Sequence, residues 1–191
     1  MGFQLILLLF IISAIMIAFQ IPILNEWMLW DHSAILTGQV WRIVTGNFTH
    51  TNLYHLGMNL IGLWLICYIF KPELRVKSFS LIVACLSFSV GTLLLITSMQ
   101  IYVGLSGVLH GLFACYALTE YRKGNKNSLW LVLGLIIKIA WEQAFGSPTG
   151  SEALIGASVA INAHLFGCLT GFTLSFILFR PSQLIRQSKN S

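Results

Sequence analysis

Three sets of polar residues interrupt long apolar runs, and together they hold the parts of a nucleophilic acyl-transfer site. The first is Gly104-Leu105-Ser106-Gly107-Val108-Leu109-His110-Gly111, at the start of a predicted helix. Its glycines permit unusual dihedrals and close backbone approach. Ser106 in a first helical turn would lie near free backbone N–H groups and the positive end of the helix dipole. That position suits a nucleophile whose substrate carbonyl becomes an oxyanion. Taken alone, the motif is explained at least as well by small residues for helix packing. The second set is His164, within Asn162-Ala163-His164-Leu165-Phe166-Gly167. It is either a satisfied core histidine or the base that deprotonates Ser106. Gly167 and Gly171, four apart, would let its helix lie close to that of Ser106. The third set is His55 and Asn59, four apart and so on one helix face. Two donors aimed into a bundle can hold an oxyanion or join two helices. His110 is a competing base, one turn from Ser106 on the same helix.

The elements that must position these groups are membrane helices. Hydrophobic residues make up 57% of the 191-residue chain and charged residues only 9%, against roughly 25% charged in a soluble domain. A spanning helix needs about 20 mostly apolar residues. Six such segments are predicted, at about 3–24, 53–70, 78–96, 105–119, 129–145 and 157–179, forming one domain over residues 1–191. The first is read as a retained helix, since it has neither a basic leader nor a small-residue cleavage site. Basic residues gather at 71–77, at 120–127 and after 180, following spans two, four and six. That alternation predicts an all-α bundle with both termini in the cytoplasm. The net charge of +5 forms no coherent basic patch, so nucleic acid is excluded as a partner. The cysteines Cys67, Cys85, Cys115 and Cys168 lie in apolar runs without metal-ligand spacing and read as buried hydrophobes. No metal or cofactor is expected. The long connection 25–52, with Trp27, Trp30, Asp31, Trp41 and Arg42, predicts an interfacial aromatic belt.

The combination resembles the rhomboid family of intramembrane serine proteases. The matching pieces are G-x-S-G at Gly104–Gly107, A-H-x-x-G at Ala163–Gly167, H-x-x-x-N at His55 and Asn59, and W-R at Trp41-Arg42, in order over all six spans. The resemblance implies a Ser106–His164 dyad with no acidic third member. It implies an oxyanion site from His55, Asn59 and backbone N–H groups at Gly104 and Leu105. It also implies a first loop lying partly in the membrane, braced by Trp41-Arg42.

Two features depart from the ordinary pattern. The position four after the serine is commonly a tyrosine packed on the catalytic histidine; here it is His110. The fifth span carries Lys138, Trp141 and Glu142. With the short chain and the segment Leu-Ser-Gly-Val-Leu-His-Gly, these look like rhombosortases. That bacterial subfamily is associated with membrane-anchored substrates bearing a C-terminal Gly-Gly, a helix and a basic tail. Resemblance to it implies a multi-pass inner-membrane enzyme open to the periplasm, cleavage near the Gly-Gly, and transfer of the new C-terminus to a small amine or lipid acceptor. Lys138 and Glu142 share a helix face and can pair. They read either as a structural pair or, with His110 and Trp141, as contacts to substrate or acceptor. The rival readings are an ordinary hydrolytic rhomboid, a catalytically silent binder of membrane helices, and a small transporter. The silent binder is opposed by the presence of both Ser106 and His164, and the transporter by the lack of an inverted repeat.

Overall fold

A computed structural model of the chain describes residues 2–147 and 150–179. The chain begins with α1 (Phe3–Ala18) and α2 (Pro22–Met28), followed by the two-residue strand β1 (Trp30–Asp31), α3 (His32–Leu36) and α4 (Arg42–Thr45). Next come α5 (Leu53–Ile69), α6 (Val76–Leu93), the strand β2 (Ile101–Tyr102), α7 (Ser106–Arg122), α8 (Ser128–Phe145), α9 (Ser151–Ile155) and α10 (Ile161–Leu178). The fold is mostly helical. The only sheet among the described residues is an antiparallel ribbon pairing Trp30 with Tyr102 and Asp31 with Ile101.

Three helical segments are long and apolar enough to cross a membrane: Val76–Ile96, Ser128–Phe145 and Ile161–Leu178. The count rises to five if two sharply bent pairs are each taken as one span, Phe3–Ala18 with Pro22–Met28 (103°) and Arg42–Phe48 with Leu53–Ile69 (92°). The predicted first span, 3–24, therefore breaks after Ala18. Pro22 cannot continue a helix and instead occupies the first turn of α2. The predicted sixth span also starts late. Gly156 takes a left-handed conformation (φ 67°) that closes α9, and helix resumes only at Ile161. The basic tail residues Arg180, Arg186 and Lys189 lie outside the described residues.

α7, at 17 residues, is one residue shorter than the shortest of those spans, and protein encloses most of it. Ten of its 17 residues are buried, against five of 18 in α8. Its closest neighbour is α10. A Cβ on Gly167 would lie 1.9 Å from the carbonyl oxygen of Gly107, and one on Gly171 would lie 2.1 Å from that of Gly111. Backbone thus rests on backbone, as small residues at four-residue spacing permit.

The first loop is packed into the fold rather than laid out as a plain belt. Trp27 and Trp41 are exposed, but Trp30 is wholly buried, and its indole N–H donates to the Gly91 carbonyl at 2.8 Å. Gly46 makes room, since a Cβ there would meet Trp30 Cβ at 2.4 Å. Arg42 donates to the carbonyls of Glu26 (2.9 Å) and Leu29 (2.7 Å) and to Gln39 Oε1 (2.7 Å), and Trp41 Nε1 donates to the Trp27 carbonyl (3.1 Å). Asp31 caps α3: the Ala34 N–H and the Ser33 hydroxyl donate to it, which holds its carboxyl below the ordinary carboxylate range.

Candidate active site

One end of the bundle gathers the polar groups. It is formed by the N-terminal turns of α5, α7 and α10 and the C-terminal turns of α8. The opposite end carries Glu73 and Lys123, which form an ion pair between the two basic connections. A cavity of about 540 Å³ opens among the polar groups, and its lining includes His55, Asn59, Ser106, Lys138, Glu142 and His164.

Ser106 is the first residue of α7. The backbone reaches it through Gly104, whose φ of +121° is one that other residues rarely adopt. A side chain at 104 would also strike His55, whose Nε2 lies 2.7 Å from the Cβ position. His164 stands in the first turn of α10, and its Nε2 is 2.9 Å from Ser106 Oγ. The close approach of α7 and α10 makes this reach possible.

On its other side, His164 Nδ1 is 2.9 Å from Glu142 Oε2. The second carboxylate oxygen, Oε1, accepts from Lys138 Nζ at 2.6 Å. The predicted Lys138–Glu142 pair therefore forms, and the dyad expected without an acidic third member has a carboxylate in contact with its histidine. Sequence spacing exposes the pairing within α8 and conceals the cross-helix contact to α10. Glu142 and His164 are 3% and 5% exposed. Hydrogen-bond logic fixes the ring: a carboxylate only accepts, so Nδ1 carries the proton. Nε2 is then the acceptor facing the Ser106 hydroxyl, the arrangement a general base requires.

His110 does not compete for that hydroxyl. Its Nδ1 donates to the Ser106 carbonyl at 2.7 Å, and its ring stacks on His164 with centroids 4.0 Å apart and planes at 22°. Trp141 is not brought to the site. It is exposed and packs on Phe145, because it sits 100° around the helix from Glu142.

The candidate oxyanion donors are unequal. Asn59 Nδ2 spends one proton on the His55 carbonyl (3.1 Å) and keeps a second. The Thr51 hydroxyl donates to the Ile155 carbonyl (2.5 Å), so its oxygen can only accept from His55 Nδ1–H (3.1 Å). In the neutral ring His55 Nε2 is then a lone pair. It becomes a donor once the ring is protonated or Thr51 turns. Gly104 drops out as an amide donor, since its N–H is committed to the Gly46 carbonyl at 3.2 Å. Leu105 is the N-cap of α7, and the first turn beyond it holds N–H groups without intrahelical partners.

Sequence reasoning missed Thr51, Asn52 and Tyr102. Thr51 and Asn52 fasten α9 beside the cavity through the carbonyls of Ile155 and Leu154 (3.0 Å from Asn52). The Tyr102 hydroxyl donates to the Gly104 carbonyl at 2.6 Å. Thr51 lies four residues before His55, a spacing that could have revealed it.

The Rhomboid domain family matches residues 37–181. The chain belongs to the rhomboid family. Among the proteins it resembles is the rhomboid protease GlpG of Serratia proteamaculans, 29% identical over 157 residues, which cover 80% of this chain and 53% of the relative. The rhomboid protease GlpG of Salmonella newport is 27% identical over 152 residues, 79% of this chain and 53% of the relative. The chain thus spans about half the length of the curated relatives it matches. The family and the apolar helices make it an integral membrane protein.

Proposed function

We propose that this rhomboid is an intramembrane serine protease that cleaves membrane-anchored proteins, with Ser106 as nucleophile and His164 as general base. The observation carrying this reading is the 2.9 Å contact between Ser106 Oγ and His164 Nε2 at the wall of a cavity inside a helical bundle. His164 takes the hydroxyl proton as Ser106 Oγ bonds to the scissile carbonyl carbon. Asn59, the first-turn amides of α7 and, once protonated at Nε2, His55 hold the oxyanion. The C–N bond then breaks, the leaving amine takes the proton from His164, and an acyl-enzyme remains. Six spanning segments, both termini in the cytoplasm and a site open to the periplasm complete the topology. The joined basic connections at the far end of the bundle support that orientation.

A rhombosortase-like variant of this activity is favoured by His110 stacking on His164 in place of the usual tyrosine and by the charged pair on α8. Its substrates carry a C-terminal Gly-Gly before a membrane tail, and the acyl-enzyme passes to an amine rather than to water. The test uses a fluorophosphonate probe and a tailed Gly-Gly substrate with purified protein in detergent. Wild type is expected to label and cleave, and Ser106→Ala and His164→Ala to do neither. Product mass separates transfer from hydrolysis. Full cleavage by either variant overturns the reading.

A further inference from the structure

We infer that Glu142 is a positioning residue that converts the Ser106–His164 pair into a triad, with Lys138 locking the Glu142 carboxylate in place. The inference rests on the proposed roles of Ser106 and His164. It goes beyond them because the matching motifs imply a dyad and leave the charges on α8 without a part in catalysis.

The geometry supplies three arguments. Glu142 is buried beside His164, and each carboxylate oxygen has its own partner: Oε2 meets His164 Nδ1 at 2.9 Å and Oε1 meets Lys138 Nζ at 2.6 Å. A pair serving only α8 would need Lys138 alone. The contact to Nδ1 also falls on the one ring atom whose proton decides the tautomer. With Nδ1–H held by Glu142, the lone pair of Nε2 is presented to Ser106 in every resting molecule. When the Ser106 proton moves to Nε2, the Nδ1 proton stays on the ring and the imidazolium faces a carboxylate. No proton passes to Glu142, and no further reactant is needed.

The third argument concerns the ring on the other side. His110, Glu142 and His164 place ligand-type atoms within 4.8 Å of one another, a grouping that could hold a metal ion. However, the His110 and His164 rings are stacked at 22°, so their in-plane lone pairs run side by side rather than converge. The Nδ1 atom of each ring also carries a proton already donated, to the Ser106 carbonyl and to Glu142. The cluster is built as a stacked and clamped imidazole. His110 fixes the ring face, Glu142 its rotation about the ring axis, and Lys138, half exposed at the rim of the cavity, the carboxylate.

The readout is the rate of Ser106 labelling by a fluorophosphonate, which reports the activated serine without an identified substrate. Glu142→Ala and Glu142→Gln should slow labelling by about 10²–10⁴-fold, and Glu142→Asp should recover at least tenfold of that loss. Lys138→Met/Glu142→Gln removes both charges and leaves no unpaired ion. A structural role predicts that this double variant labels like wild type; the triad predicts that it stays slow although its thermal unfolding is normal. It also decides the matter if Glu142→Ala fails to fold. A low-field proton resonance of His164 Nδ1–H should be present in wild type and lost in Glu142→Gln. If Ser106→Ala is unlabelled while the double variant labels at the wild-type rate, the triad is overturned and the Ser106–His164 reading stands. If Ser106→Ala labels as wild type does, the underlying reading fails first.

Discussion

Gly167 rests on the carbonyl of Gly107 so closely that a Cβ there would stand 1.9 Å from the oxygen. This contact lies one turn beyond His164 on α10 and one residue beyond Ser106 on α7. The spacing of the Ser106 and His164 side chains is therefore set by two backbones in contact. A helix pair held apart by even one methyl group would carry His164 Nε2 beyond hydrogen-bond reach of Ser106 Oγ.

Gly167→Ala should consequently destabilise the bundle by about 1–3 kcal/mol through overpacking and reduce fluorophosphonate labelling by more than tenfold. Gly134→Ala is the control. It sits in α8 with nothing within 4 Å of its Cβ position, so it should be neutral or stabilise by up to about 1 kcal/mol. Thermal unfolding in one detergent compares the two. Equal behaviour would mean that the α7–α10 contact is not what spaces the site.

His110 should matter through its ring face rather than its basicity. His110→Tyr keeps an aromatic plane against His164 and is expected within about threefold of wild-type turnover. His110→Ala loses the stack, worth about 0.5–1.5 kcal/mol, and should fall roughly 3–10-fold. His164→Ala should be inactive. An inactive His110→Ala beside an active His164→Ala would reverse the assignment of the base.

Much of this was legible in the sequence, and the remainder was not for identifiable reasons. The membrane character, the helical class and the close approach at Gly167 and Gly171 follow from composition and four-residue spacing. So does the Lys138–Glu142 pair, because both residues lie on one helix. The Glu142–His164 contact joins residues 22 apart on different helices, and no periodicity encodes it. Trp30 looked like its interfacial neighbours, because burial against Gly91 depends on how the first loop folds back. Gly104 reads in sequence as an available amide donor, but in the fold the Gly46 carbonyl occupies its N–H.

The two side-chain candidates for the oxyanion site should separate in a mutational test. Asn59 has a free N–H proton in place, whereas His55 must first be protonated at Nε2 or released by Thr51. Asn59→Ala is therefore expected to lower turnover by roughly 10²–10³-fold, the effect of losing one oriented donor. His55→Ala should cost less, about tenfold. Steady-state kinetics on the same tailed substrate, with kcat and KM resolved, makes the comparison; a larger loss at His55 would mean that its Nε2 already carries a proton in the resting site.

Arg42 offers a test of the first loop away from the reacting atoms. Arg42 is nearly enclosed, 7% exposed. It donates to two main-chain carbonyls, Glu26 and Leu29, and to the Gln39 side chain. Those carbonyls belong to α2 and to the residue just before β1, so one side chain fastens α4 to the segment that feeds the ribbon. The ribbon then pairs Trp30 with Tyr102, whose hydroxyl fixes the Gly104 carbonyl two residues before Ser106. Arg42→Ala leaves both carbonyls without a donor, and a cost of about 2–4 kcal/mol is expected. Lys is a poor substitute. A single ammonium cannot reproduce the planar fork that meets three acceptors, so Arg42→Lys should recover less than half of the loss. Gln39→Ala removes only one of the three acceptors and should cost about 1 kcal/mol or less. Thermal unfolding ranks the three variants, and fluorophosphonate labelling below the unfolding transition shows whether the effect reaches Ser106. An Arg42→Lys variant as stable as wild type would mean that the charge alone, not the fork, holds the loop.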